Sequence, residues 1–143
     1  MKVYIDADAC PVTDIAISLC AAESIPCVLV CDTAHQLYRE NTKIITVDKG
    51  SDSADFAIAN RVQPGDLVIT QDYGLACMCL GRGTRVLHQD GWEYTQHNID
   101  ALMLQRYENR KLKAAGIRRK GPTKRTKAQD QVFSAALLKL LQG

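Results

Sequence analysis

Four short runs of apolar, largely β-branched residues recur along the chain: Val3-Tyr4-Ile5, Cys27-Val28-Leu29-Val30-Cys31, Lys43-Ile44-Ile45-Thr46-Val47 and Leu67-Val68-Ile69-Thr70. A short, continuously apolar run bounded by breakers reads as a strand covered on both faces. Parallel neighbours need crossovers, so strands alternating with helical segments predict an α/β fold with a mostly parallel sheet. A fifth, weaker run, Arg85-Val86-Leu87, makes the expected sheet four- to five-stranded. The first run ends at once in two carboxylates, Asp6 and Asp8, followed by Cys10-Pro11. In an open α/β sheet the carboxyl ends of strands face the crevice where ligands sit. A helix cap would explain one of the two acids, because Asp is a favoured N-cap and Pro suits the first helical turn. The other would remain beside it at the cost of like-charge repulsion.

Helical spacing is expected over residues 11–23, where Val12, Ile15, Ala16, Leu19 and Cys20 share a face. Residues 51–60 open a second helix, with Asp52 and Asp55 three apart and able to point the same way. Capping and the helix dipole alone would also account for both. Asp72 follows the fourth strand after Gln71, and a short helix is expected over 73–80, stopped by Gly81 and Gly83. A long helix is expected from 99 to about 115, placing Leu102, Met103, Arg106 and Leu112 together and ending at Gly116. Residues 32–42 read as irregular with a short helix, and 90–96 as a turn or hairpin. Gly121-Pro122 makes residues 118–127 a loop, after which 128–142 form an amphipathic C-terminal helix.

A chain of 143 residues suits a single domain spanning 1–143. No apolar run approaches the roughly 20 residues that cross a bilayer, and Met1-Lys2 leads directly into the first strand, so a cytoplasmic protein without a membrane partner is expected. The six cysteines contain no C-x-x-C pair and read as core residues, Cys10 excepted, since a thiol at a helix start can be acidified. His35, His88 and His97 are scattered and suit surface or loop roles. The net charge of +2 hides an asymmetry. Residues 110–127 hold nine Lys/Arg and no acid, whereas the remainder carries sixteen acids against nine bases. Excess carboxylates suggest cation binding, and a basic strip suggests a polyanion.

If the first and fourth strands are neighbours, Asp6, Asp8, Asp52, Asp55 and Asp72 converge on one crevice. Crowded ionised carboxylates repel unless a proton or a divalent cation is present. Oxygen ligands without a nearby His favour Mg²⁺ or Mn²⁺ over zinc. Such a cation activates water and offsets charge developing on a phosphate, which is the chemistry of phosphodiester hydrolysis; a second ion would stabilise the leaving oxygen. Arg118, Arg119, Lys120, Lys124, Arg125 and Lys127, with Arg110, Lys111 and Lys113 before them, would hold phosphates in a salt-sensitive way. No aromatics interleave those charges to stack bases. A solvated, mobile charged face is the plainer reading of such a run.

Ile5-Asp6-Ala7-Asp8-Ala9-Cys10-Pro11, Gly50-Ser51-Asp52-Ser53-Ala54-Asp55, Gly65-Asp66-Leu67-Val68-Ile69-Thr70-Gln71-Asp72 and Gly121-Pro122 resemble the bacterial YaiI/YqxD family over essentially the whole chain. That family is grouped with the PIN-like nucleases. The resemblance implies a PIN-like three-layer sandwich with the acids at the carboxyl end of the sheet. It further implies Asp6 and Asp72 as direct metal ligands, Asp55 as the helix acid, and Asp8 and Asp52 as ligands or supporting groups. Lys120 departs from the smaller residue expected before Gly121-Pro122. A metal-dependent nuclease acting on RNA in preference to DNA is therefore expected, with Asp6, Asp8, Asp55 and Asp72 catalytic. Two rivals differ in class. One is a nuclease-like fold that binds nucleic acid without cutting it. The other is an aspartate-nucleophile phosphatase of the haloacid-dehalogenase type, with Asp6 attacking phosphorus and Asp8 as acid/base; there Cys10 replaces the usual Thr or Val, and Gly65-Asp66 precedes a strand instead of following one.

Overall fold

The runs singled out above form β1 (Val3–Asp6), β2 (Cys27–Asp32), β3 (Lys43–Val47), β4 (Leu67–Ile69) and β5 (Arg85–Leu87), joined by a two-residue strand β6 (Glu93–Tyr94). The structure, a computed structural model, describes residues 1–8, 10–32, 39–40, 42–49, 53–116 and 124–143. Among them the strands make one sheet in the order β3-β2-β1-β4-β5-β6. All neighbours are parallel except β5 and β6. The sheet thus has six strands where four to five were expected. β6 is too short to carry a period-2 signal; it is positioned by the Trp92 carbonyl accepting from the His88 amide at 2.9 Å and by a forked Arg85–Glu93 pair at 2.7 and 2.9 Å.

Five helices are described: α1 (Thr13–Ala22), α2 (Ser53–Ala59), α3 (Tyr73–Leu80), α4 (Gln96–Ala114) and α5 (Lys127–Gln142). α4 and α5 begin earlier than apolar spacing alone predicts. Each opens with a capping box, Thr95 with Asn98 and Thr126 with Gln129, which satisfies amides the apolar stripe does not reach. Lys127 is accordingly the first residue of α5 and not the end of a loop.

Successive strand side chains face opposite sides, so the sheet carries two cores. Val3, Ile5, Leu29, Leu67 and Ile69 pack with Ala16 and Cys20 of α1 and Phe133 and Leu137 of α5. Tyr4, Val28, Val30 and Val68 pack with Ile58 of α2, Leu75 and Cys79 of α3, and Ile99 of α4. β1 and β4 lie at the centre, with Val3 opposite Leu67 and Ile5 opposite Ile69. Each fully buried Val, Ile or Leu contributes about 1.5–3 kcal/mol. Truncating Ile5 to Ala would cost about 2–5 kcal/mol.

β3 is an edge strand, with Lys43 and Thr46 exposed. The chain leaves β1 toward β2 on one side and returns through α2 to β4 on the other. That reversal between β1 and β4 opens a crevice at their carboxyl ends.

Candidate active site

The register that aligns Ile5 with Ile69 brings the next residues, Asp6 and Thr70, to the same level. Alternation points both toward the Tyr4 and Val68 side, which α2 and α3 cover. Thr70, 2% exposed, donates its hydroxyl to Asp6 Oδ2 at 2.9 Å and accepts the Asp72 amide at 3.0 Å on the same oxygen. One buried threonine therefore sets the positions of two candidate acids. Burial pushes the Asp6 carboxyl up to about 6; the Thr70 hydroxyl opposes that rise, and the nearby charges of Asp72 and Asp8 add to it.

Neither Asp6 nor Asp8 caps α1. Val12 occupies that position without a side-chain cap, and Thr13 turns its hydroxyl to the Cys10 carbonyl at 3.1 Å. Asp8 instead accepts the backbone amide of Asp32 at 3.1 and 3.4 Å, tying the loop after β1 to the end of β2. Asp72 does cap a helix: its Oδ1 accepts from the amides of Gly74 at 2.8 Å and Leu75 at 3.3 Å, opening α3. Arg106 of α4 places Nη1 3.6 Å from that oxygen. A Cβ on Gly74 would lie 3.2 Å from Asp72 Oδ1 and 3.3 Å from Arg106 Nη1, so glycine here lets carboxylate and guanidinium approach. Asp55, Phe56, Asp72, Gly74, Met78 and Arg106 together line a cleft of about 240 Å³. The Cys79 thiol beneath is pushed up to about 12, by burial and then by the charges of Asp55 and Asp6.

At the carboxyl end of β1 and β4 Asp6 feels the charges of Asp72 and Asp8, and Asp55 shares the cleft with Asp72, while Asp52 lies outside the described residues. Their oxygen-only chemistry suits Mg²⁺ or Mn²⁺. Among the described residues no three His, Cys, Asp or Glu side chains are drawn close enough to grip an ion. Mg²⁺ keeps several waters and commonly needs only one or two carboxylates, which Asp6 and Asp72 could supply.

Thr70, Arg106 and Asp32 belong to the site although the sequence alone marks none of them as a candidate. Their signals were a Thr two residues before Asp72, an arginine at a core-spaced position beside Leu102 and Met103, and an aspartate closing the β2 run.

Arg125 corrects the expected phosphate-binding set. Its Nε donates to Asp130 at 2.6 Å, Nη1 to Asp90 at 2.7 Å and Nη2 to the Gln89 carbonyl at 2.6 Å, with the side chain only 18% exposed. It fastens α5 to the β5–β6 turn. Lys124 and Lys127 are exposed, whereas Arg118, Arg119 and Lys120 fall outside the described residues. Cys10 is likewise corrected, because burial pushes its thiol up instead of acidifying it. His88 stacks on Trp92 at 4.4 Å and accepts the Asp90 amide on Nδ1, His97 is exposed, and His35 is outside the described residues.

The profile of the family described as "Uncharacterized BCR, YaiI/YqxD family" matches residues 4–143. The chain belongs to the YaiI/YqxD family. It is similar to a UPF0178 protein of Exiguobacterium sibiricum, 46% identical over 99% of this chain and 96% of the relative. A UPF0178 protein of Ruminiclostridium cellulolyticum is 45% identical over 96% of this chain and 90% of its own. One from Clostridium acetobutylicum is 42% identical over 99% and 97%. No solved structure matches the chain. The YaiI/YqxD match takes in all five candidate acids and the whole of α4. No helix among the described residues is long and apolar enough to cross a membrane.

Proposed function

We propose that the protein is a divalent-metal-dependent nuclease that hydrolyses phosphodiester bonds in RNA, on a PIN-like three-layer α/β sandwich. One observation carries this reading. At the chain's reversal point Asp6 is half-buried with Thr70 as its one side-chain donor among the described residues, and burial, reinforced by the charges of Asp72 and Asp8, pushes its carboxyl up to about 6. Leaving a carboxylate so unfavourably placed costs stability, and a bound cation would relieve it. Asp6 and Asp72 would hold Mg²⁺ or Mn²⁺, with Asp8 and Asp55 supporting it. When bound, the ion polarises the phosphoryl group and lowers the pKa of water. Thr70 keeps the two carboxylates in fixed relation, and Arg106 stands where it can take a non-bridging phosphate oxygen.

Cleavage of labelled single-stranded RNA and DNA in Mn²⁺, Mg²⁺ or EDTA tests the proposal, comparing the native chain with Asp6→Asn and Asp72→Asn. Asn caps a helix as well as Asp, so Asp72→Asn removes charge without unseating α3. Cutting that needs metal and disappears in both variants, with RNA cut faster than DNA, is the expected result. A binding module that does not cut is the second reading, favoured by Asp72 being engaged as cap and Arg106 partner. RNA held equally with and without metal and never cut would select it.

A further inference from the structure

The acidic cleft has an apolar lip. Phe56, 56% exposed, and Met78, 37% exposed, border it, although the turn after Phe56 buries Ile58 and Ala59 in the core. A single exposed apolar side chain needs no explanation. Here a phenyl ring and a thioether share a cleft with the Arg106 guanidinium, and that arginine starts a charged stripe. Arg106, Arg110 and Lys113 recur at i, i+4 and i+7 along α4 and so lie on one face, over about 10 Å of helix. Of α4 only Ile99 is fully buried, and both Arg110 and Lys113 are exposed. On the adjoining stripe Tyr107, 55% exposed, carries Lys111 Nζ 5.1 Å from its ring centroid. An aromatic does neighbour the cations, contrary to expectation from the basic run alone.

We propose that this cleft is a base-stacking subsite for a single strand of nucleic acid. Phe56, flanked by Met78, takes the face of an unpaired base, while Arg106, Arg110 and Lys113 hold phosphates of the same strand. A ring beside a line of cations suits a strand with alternating π-faces and negative charge. A base inside a duplex has both faces covered by its neighbours, so Phe56 selects unpaired strands. Stacking reads no base edge, so the preference is for strandedness and not for sequence. The ion pair of Arg106 with Asp72 is long at 3.6 Å, and both side chains are about one-third exposed, so turning the guanidinium to a phosphate gives up little. Arg125, held by three short bonds, has no such freedom. The inference rests on the nuclease reading only for the direction of the strand, past Phe56 toward Asp6 and Asp72.

Fluorescence anisotropy of short labelled oligonucleotides in EDTA measures the subsite without any cutting, with single-stranded RNA, single-stranded DNA and a duplex compared. Phe56→Ala is expected to weaken single-strand binding roughly 5- to 150-fold, the range for loss of one stacked base, while Phe56→Trp retains it within about twofold. The Arg110→Gln, Lys113→Gln double variant is expected to flatten the salt dependence, with the log–log slope falling by about 1.4, and Phe56→Ala to leave that slope unchanged. Equal RNA and DNA affinities are compatible with stacking on a base face; a duplex bound as tightly as a single strand would overturn the subsite. So would unchanged affinity of Phe56→Ala, or no binding by the native chain. The two readings fail separately. Lost affinity in Phe56→Ala with no cutting by the native chain in Mn²⁺ keeps the subsite and removes the nuclease. Metal-dependent cutting that Phe56→Ala matches in both binding and rate does the reverse.

Discussion

β1 and β4 have an aspartate at each end of their shared ladder, and the two are treated in opposite ways. Asp66, which precedes β4 and is 9% exposed, accepts the Lys2 amide on Oδ1 at 3.0 Å and the Gln63 amide on Oδ2 at 2.9 Å. Both its oxygens are matched to backbone donors, and the carboxylate pins the chain start and a turn to the sheet. Asp6, at the other end, receives one hydroxyl and is crowded by Asp72 and Asp8. The same residue type on the same strand pair is a staple at the amino end and a burden at the carboxyl end. A parallel sheet accounts for the asymmetry: its carboxyl ends open at the reversal between β1 and β4, and on the proposed reading a carboxylate placed there is kept for a ligand instead of the fold.

Asp66→Ala is the harshest way to break this contrast. It leaves two amides without their acceptor, at about 1–3 kcal/mol each, and urea unfolding should show a loss of about 2–6 kcal/mol. Asp6→Asn should move stability the other way. Because the folded carboxyl is raised from 3.8 to about 6, the folded state holds a proton that the unfolded chain has already released between those values. Stability therefore falls as pH rises through that window, and the full penalty applies above pH 6. In EDTA at pH 7.5 Asp6→Asn should gain on the order of 1–3 kcal/mol, and the gain should vanish near pH 3.5.

Asp72 lies between these extremes. Asp72→Ala should cost about 1 kcal/mol through the lost cap, whereas Asp72→Asn should stay within a few tenths. Arg106→Gln should be smallest, within about 0.5 kcal/mol in thermal unfolding, because its ion pair is long and solvent-screened.

The sequence shows the strands of this sheet more clearly than it shows their neighbours. Val3-Tyr4-Ile5 and Leu67-Val68-Ile69 are readable as buried strands because both faces are covered, and α3 runs over 73–80 and stops before Gly81 and Gly83, as expected. Apolar pattern alone does not say that β1 and β4 are adjacent, and that adjacency is what brings Asp6 level with Thr70. The capping boxes at Thr95 and Thr126 stand in the sequence as T-x-x-N and T-x-x-Q, a signal that apolar spacing does not carry. Within the basic run, Arg125 looks like its neighbours; only tertiary contact with Asp90 and Asp130 sets it apart. Arg106 was hidden the other way, as a charged residue on an apparently apolar face whose acid partner is 34 positions earlier in the chain.

Thermal unfolding at increasing Mn²⁺, for the native chain and Asp6→Asn at pH 7.5 and pH 5, asks directly whether the burden at Asp6 exists for a cation. The native chain should gain about 2.7 kcal/mol at a hundredfold excess over Kd at pH 7.5, and respond more weakly at pH 5, where the proton competes. Asp6→Asn should respond little at either pH. Equal stabilisation of both proteins by Mn²⁺, or none of either, would contradict a metal-dependent centre at the carboxyl end of β1 and β4.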